Sequence, residues 1–182
     1  LYGDLDVSVI DELPANRKNI KTAIRFDDDL ARVHEFVRGE VAAGHQAYIV
    51  FPLVSESEKV DLKAATAEFE TLRSAVFPEL RVGLLHGQLP PKEKDAVMMR
   101  FKRHELDILV STTVIEVGVD VPNATVMVVE HAERFGLAQL HQLRGRIGRG
   151  AHKSFCVLMI PPDQVEARTR LKILEDTRDG FR

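Results

Sequence analysis

Apolar residues along this chain form short runs that alternate with segments of helical spacing. The runs are rich in Val, Ile and Leu, as is typical of strands buried on both faces of a sheet. They cover residues 21–26, 46–54, 82–85, 107–111, 125–130 and 155–160. Strands that alternate with helices predict an α/β fold, with a parallel sheet and helices on both of its faces.

The segments between most of these runs carry apolar residues three or four positions apart. In the first of them, Leu30 and Val37 share a helical face, Asp27, Asp28 and Asp29 are N-cap candidates, and Gly44 is positioned to end the helix. Further helices are predicted over residues 62–76, from Pro90 to about residue 103, and over residues 165–179. We expect the helix over 62–76 to serve core packing.

The stretch 142–150 reads Gln-Leu-Arg-Gly-Arg-Ile-Gly-Arg-Gly. At about 3.6 residues per turn, Gln142, Arg146 and Arg149 fall on one helical face, and the leucines of this segment fall on another. A guanidinium group suits phosphate because its planar fork donates hydrogen bonds in pairs and stabilises charge that develops during phosphoryl transfer. A solvated basic helix is the alternative interpretation.

The stretch 111–122 reads Ser-Thr-Thr-Val-Ile-Glu-Val-Gly-Val-Asp-Val-Pro and separates two predicted strands. Asp120 therefore belongs to a loop beside strand ends. Loops of this kind bind ligands in open α/β sheets, so this carboxylate could accept a ribose hydroxyl. A turn-forming aspartate is the alternative.

Length, composition and net charge limit the classes of protein to which this chain can belong. A chain of 182 residues, 45% apolar, is sufficient for one domain with a core, and its formal charge of −3 argues against a basic coat over the whole surface. A local basic patch is predicted over residues 141–153, which hold Arg144, Arg146, Arg149 and Lys153 and no acid. The single Cys156 lies in an apolar run and predicts a buried thiol in a reducing compartment.

Two classes of feature are not expected. The seven histidines are scattered, without the spacing of a zinc site, so we predict no structural metal. Neither a membrane span nor a signal peptide is predicted, and we expect a cytoplasmic protein.

Residues 111–122 resemble motif V, and residues 142–150 motif VI, of superfamily 2 helicases. This resemblance implies a RecA-like fold of the P-loop NTPase type. It also implies the C-terminal lobe of a two-lobed, ATP-driven translocase on double-stranded DNA, with ATP and Mg²⁺ held between the lobes. The opening residues 1–14 and the stretch 140–150 point to bacterial enzymes that remodel stalled forks and Holliday junctions in recombination and repair, near the nucleoid.

The resemblance also implies a division of the chain. Residues 1–20 correspond to the linker between lobes, residues 21–161 to the C-terminal RecA-like lobe, and residues 162–182 to the start of a helical translocation motif that is cut short. The partners implied are the N-terminal lobe and branched or duplex DNA. Because the chain has no Gly-x-x-x-x-Gly-Lys-Ser/Thr loop and no convincing magnesium-binding acid, we predict that it does not hydrolyse ATP alone.

Residue roles follow from motif position. Arg149 resembles an arginine finger, Arg146 a second γ-phosphate ligand, Gln142 a residue that orients phosphate or water, and Asp120 a contact to ribose or the metal shell. Gly118 would allow close approach of the nucleotide. The DNA-binding candidates are Ser111, Thr112, Thr113 and His86. For the threonines, strand-end capping is the alternative, and His86 could equally be a histidine satisfied at a strand end.

Two other functions remain open at this stage. The chain could be the corresponding lobe of the transcription-repair coupling factor, or a non-catalytic RecA-like module that binds a protein or nucleic acid. A dinucleotide dehydrogenase is set aside because no Gly-x-Gly-x-x-Gly follows any predicted strand.

Overall fold

The computed structural model describes residues 20–112 and 120–176. Most of the predicted linker, Thr113, Gly118 and the last residues of the predicted translocation motif lie outside these ranges. The strands of the described part are β1 (Ile20–Phe26), β2 (Gln46–Val50), β3 (Val82–Leu85), β4 (Ile108–Ser111), β5 (Ala124–Val129) and β6 (Ser154–Ile160). The α-helices are α1 (Leu30–Ala42), α2 (Glu58–Thr71), α3 (Pro91–Lys102), α4 (Leu137–Arg144) and α5 (Val165–Asp176).

The six strands form one sheet in the order β1-β6-β5-β2-β4-β3. Every neighbouring pair is parallel, so all strands begin at one edge of the sheet, the amino edge, and end at the opposite carboxyl edge. The central strands β2, β4 and β5 are buried along their whole length, which is why they appear in the sequence as continuous apolar runs.

Two apolar layers hold the helices to the sheet. Tyr48, Leu109 and Met127 point to the face that α3, α4 and α5 cover. Ile49 and Val128 point to the opposite face, beneath α1 and α2. The predicted parallel sheet with helices on both faces is therefore confirmed.

Several predicted boundaries need correction. Strand β2 ends at Val50 rather than at residue 54, because Pro52 cannot donate a ladder hydrogen bond and Leu53 is 60% exposed. Asp27–Asp29 form a turn of 3-10 helix, and Asp29 is the N-cap residue of α1 as predicted, although its side chain makes no capping hydrogen bond. Gly44 does follow α1 as predicted, with a left-handed φ of 97°.

The second helical segment is longer than its apolar spacing indicates. The Ser57 hydroxyl accepts a hydrogen bond from the Val60 amide and caps α2, and the helix continues into a π-helical segment, Leu72–Val76. Ala65 and Leu72 are buried as expected for core packing, but Leu62 is exposed.

Candidate nucleotide and nucleic-acid sites

The arginines of the predicted phosphate-binding face do not lie on one helix. Helix α4 ends at Arg144, and the chain continues through a turn in which Gly148 has a φ of 76°. This left-handed conformation strains most side chains other than glycine and takes the backbone off the helical path. The prediction that Gln142, Arg146 and Arg149 share a helical face is therefore wrong for the two arginines.

The turn instead brings Arg149 to Asp120. The Nη1 atom of Arg149 lies 3.5 Å from Oδ1 of Asp120, and its Nε donates to the Gly145 carbonyl oxygen at 2.8 Å. Gly150 makes this approach possible, since a Cβ atom there would meet the Pro122 carbonyl oxygen at 2.7 Å. Residues that lie far apart in the sequence thus form one cluster at the amino edge, ahead of β5 and β6.

Arg146 belongs to the same neighbourhood. Burial raises the pKa of the Tyr48 phenol, the charges of Arg146 and Arg149 oppose that shift, and the charge of Asp120 adds to it. The buried Tyr48, which sequence analysis did not single out, is therefore close enough to be influenced by the charges of all three residues. Among the described residues, two guanidinium groups and one carboxylate give this cluster a net positive charge of the kind that attracts a phosphate anion.

Arg149 and Asp120 remain open to solvent. Their side chains are 37% and 64% exposed, so a ligand can reach both groups. Gln142 lies on the exposed side of α4, in a recess that it shares with Ile173 and Leu174 of α5.

Arg144 is not part of a surface basic patch. It is 1% exposed, and its Nη1 donates to the Thr22 hydroxyl at 3.0 Å and to the Leu174 carbonyl oxygen at 2.8 Å. This guanidinium joins the end of α4 to β1 and α5. The predicted basic patch over residues 141–153 must therefore be corrected, because Arg144 is a buried structural residue.

The DNA-binding candidates lie at the opposite, carboxyl edge. Ser111 ends β4, and Thr112 follows it at 3% exposure. Thr112 lines a cavity of about 420 Å³, here called the carboxyl-edge cavity, between α2 and the segment after β5. Within residues 20–112 and 120–176, the Thr112 hydroxyl has no hydrogen-bond partner. Its hydrogen-bonding capacity is therefore unused in the described part of the chain.

His86 lies at the end of β3, but it is 1% exposed. Its Nδ1 accepts a hydrogen bond from the Gln88 amide at 3.0 Å, so its Nε2 carries the proton and donates to Oδ2 of Asp61 at 3.0 Å. The other carboxylate oxygen of Asp61 accepts from the Val54 amide at 2.8 Å. Both ring nitrogens are therefore engaged, which fits the structural alternative for His86 and not a DNA contact.

Sequence analysis missed further charged residues at this edge. His131 and Arg134 line the carboxyl-edge cavity, and Arg134 is exposed. Glu130 is 7% exposed, and burial, with smaller contributions from the charges of Asp27 and Glu68, raises its pKa to about 7. The position of Glu130 directly after a buried strand was the available signal.

The two sets of candidates are separated by the length of the sheet. Strand β5 contains six residues and rises about 3.3 Å per residue, or roughly 20 Å from one edge to the other. Asp120 precedes this strand and His131 follows it. The described residues therefore form a cationic cluster at one edge and, at the other, a cavity lined by both polar and apolar side chains.

The described residues show neither a metal-binding cluster nor a membrane-spanning helix. They contain no group of three or more His, Cys, Asp or Glu side chains arranged to hold a metal ion. They also include no helix with the length and apolar character needed to span a bilayer.

The parallel six-stranded sheet with helices on both faces is a RecA-like fold. Residues 28–151 match the family model of the helicase conserved C-terminal domain. The chain therefore belongs to this family, which confirms the resemblance found in its motifs.

Among curated relatives, the ATP-dependent DNA helicase RecG of Synechocystis is 54% identical over 181 residues, which cover 100% of this chain and 22% of that protein. RecG of Escherichia coli is 53% identical, with 99% and 26% covered. The chain thus spans about a quarter of the length of the relatives it matches.

Solved structures agree with this assignment. The structure of RecG bound to a three-way DNA junction superposes with a TM-score of 0.78 at 49% identity, and the match covers 93% of this chain and 22% of that one. The second domain of the DEAD-box helicase Mss116p, bound to an RNA duplex, gives a TM-score of 0.66 at 19% identity, with 88% and 61% covered. The latter similarity supports the RecA-like fold alone.

Proposed function

We propose that this chain is the C-terminal motor lobe of an ATP-dependent double-stranded DNA translocase of the RecG type, which remodels stalled forks and Holliday junctions in recombination and repair. The observation that carries the proposal is the contact between Arg149 and Asp120 at the amino edge, in a chain about half identical to RecG along its whole length. The two curated relatives described above are both RecG proteins that match nearly the whole chain, so the lobe of the coupling factor is not proposed.

In this proposal the amino-edge cluster faces ATP bound between two lobes. ATP supplies the phosphoryl group whose transfer to water drives translocation. Arg149 stabilises charge on that group as an arginine finger, Arg146 binds the γ-phosphate, and Asp120 accepts a ribose hydroxyl. Gly118 allows close approach, and Gln142 orients phosphate or water once the lobes close.

The donor set of the described residues fits polyphosphate better than a metal ion. Two guanidinium groups match phosphate oxygens, whereas Asp120 is one carboxylate already paired with Arg149. Mg²⁺ prefers oxygen ligands, commonly carboxylates together with substrate phosphates. We therefore assign magnesium binding to the N-terminal lobe, which the proposal requires as a partner and which contributes the phosphate-cradling loop.

At the carboxyl edge, we propose that Ser111, Thr112 and Thr113 bind a DNA backbone phosphate. The support is Thr112, which lines the carboxyl-edge cavity and whose buried hydroxyl has no partner in the described part of the chain. Such a contact positions the strand and reads no sequence. Its affinity for DNA should therefore fall as salt is added.

The proposal extends to the boundaries of the lobe. Residues 1–20 would link the two lobes, residues 21–161 would form the lobe itself, and residues 162–182 would begin the translocation motif. Such an enzyme would act in the bacterial cytoplasm, at the nucleoid.

The test compares the 182-residue chain with the full-length protein that contains it. We expect no ATP hydrolysis by the chain alone, and hydrolysis by the full-length protein that rises when a synthetic fork or Holliday junction is added. The proposal would be contradicted if the purified chain hydrolysed ATP. It would also be contradicted if DNA did not change the rate of ATP hydrolysis by the full-length protein.

A further inference from the structure

A basic groove lies away from both candidate sites, on the outer part of the sheet. It is lined by β1, β6 and α1, and it encloses about 330 Å³. Helix α1 packs over β2 and β5, so the residues that the structure describes leave the outer strands β1 and β6 only partly covered on this face.

The floor of this groove is apolar and its rim is cationic. Ala23 pairs in register with Val157, and both lie on the floor. Beside them Phe36 and Phe155 meet edge to face, with ring centroids 4.9 Å apart, and Phe36 is 36% exposed. The rim carries three exposed cations, Lys21, Arg25 and Arg32.

The charge of the rim contrasts with that of the whole chain. The full sequence has a formal charge of −3, yet the groove is lined by three cations and one acid, Asp29. A fourth cation, Lys153, lies 5.7 Å from the centre of the Phe155 ring. An occupant that complements this surface carries negative charge for the rim and a bulky apolar side chain for the floor.

At Ile24, the edge of β1 is not available for pairing with a further strand. The Ile24 amide donates to Oε2 of Glu175 at 3.0 Å, and the Ile24 carbonyl oxygen accepts from Nη1 of Arg25 at 2.8 Å. Side chains thus occupy the backbone groups that a paired strand would need. Near Ile24, an occupant of the groove would therefore bind through side chains on the sheet face.

We propose that this groove is a docking site for an acidic peptide segment of a partner protein, with an aromatic or large aliphatic residue that packs against Phe36 and Phe155. The enclosed volume suits one such side chain, whereas a DNA backbone would meet the cationic rim without filling the apolar floor.

The test measures binding of a fluorescein-labelled peptide, Glu-Glu-Leu-Phe-Glu-Glu, to the full-length protein by fluorescence anisotropy. We expect salt-sensitive binding that weakens about tenfold or more in the double variant Lys21→Glu/Arg32→Glu and in Phe36→Ala. The double variant Lys92→Glu/Lys102→Glu makes the same change of charge at two exposed residues of α3 and should bind as the wild type does.

Three results would overturn the proposal. They are no binding by the wild-type protein, equal binding by the Lys21→Glu/Arg32→Glu variant, and complete displacement of the peptide by a single-stranded oligonucleotide. The last result would assign the groove to nucleic acid. Because the peptide assay needs neither ATP nor a DNA fork, its outcome is independent of the motor function proposed above.

Discussion

Replacing Arg149 with alanine in the full-length enzyme should slow ATP hydrolysis without unfolding the lobe. The side chain contributes one ion pair, to Asp120 at 3.5 Å, and one hydrogen bond, to the Gly145 carbonyl oxygen at 2.8 Å. Both partners of the ion pair are more than a third exposed, so solvent screens it to about 0.2–1 kcal/mol of stability. The variant should therefore melt close to the wild-type temperature.

The effect on chemistry should be much larger. An arginine finger acts on charge that develops in the transition state, so its loss should lower kcat by roughly 10³-fold or more while nucleotide binding changes much less. Lysine keeps the charge but loses the fork, so Arg149→Lys should behave more like alanine than like arginine. Fork unwinding should fail in parallel, because translocation needs hydrolysis.

A matched control separates chemistry from folding. Leu143 is 0% exposed on the buried side of α4, and Leu143→Ala should cost about 2–5 kcal/mol of unfolding free energy without selectively removing the chemical step. The assay is single-turnover ATP hydrolysis with DNA bound, alongside thermal melting of each variant. A folded Arg149→Ala protein that hydrolyses ATP at the wild-type rate would refute the finger assignment.

Three further predictions concern the carboxyl edge. Thr112→Val should weaken duplex DNA binding about fivefold, the equivalent of one hydrogen bond of about 1 kcal/mol, and unchanged anisotropy titrations would contradict the phosphate contact. Because the pKa of Glu130 is raised from 4.5 to about 7, its neutral carboxyl contributes stability that is fully present below pH 4.5 and lost as the pH rises through 7. In urea unfolding, the unfolding free energy of Glu130→Gln should therefore rise relative to that of the wild type as the pH increases from 5 to 8. Parallel pH profiles of the two proteins would contradict this prediction. Asp61→Ala should lower the unfolding free energy by about 3 kcal/mol, since the His86 ring and the Val54 amide both lose their acceptor, and Asp61→Asn should lose less; equal losses would show that the carboxylate has no special role.

The sheet was predictable because burial on both faces leaves a strong signal. The apolar runs located every strand of the described part, and their alternation with helices implied parallel pairing. The error in β2 has a physical cause, since the run after Val50 stays apolar through Phe51-Pro52-Leu53-Val54 although proline ends the ladder. Apolar character alone does not distinguish a strand from the loop that follows it.

The candidate site was predictable in its residue types but not in its geometry. Helical spacing placed Arg146 and Arg149 on one face, whereas the positive φ of Gly148 takes the chain toward Asp120. Arg144 could have been recognised as buried, because it lies four residues after the buried Leu140 and so on the same side of α4. No local sequence pattern could have identified its hydrogen-bond partners, since Thr22 is 122 positions away.

The arrangement of the sheet bears on how such a lobe can couple nucleotide to DNA. Val50 of β2 lies in register with Ser111 on one side and Val129 on the other, and all three residues are buried. A hydrogen-bonded ladder that is packed on both faces deforms little, so the cationic cluster and the carboxyl-edge cavity should keep their separation of roughly 20 Å when a ligand binds at either edge. Under the proposed function, nucleotide-dependent motion is then expected to move this lobe as a rigid body against its partner lobe. The residues that contact DNA would then move together with the arginines. A substitution at one edge should leave ligand binding at the other edge nearly unchanged, although it would uncouple nucleotide binding from DNA binding.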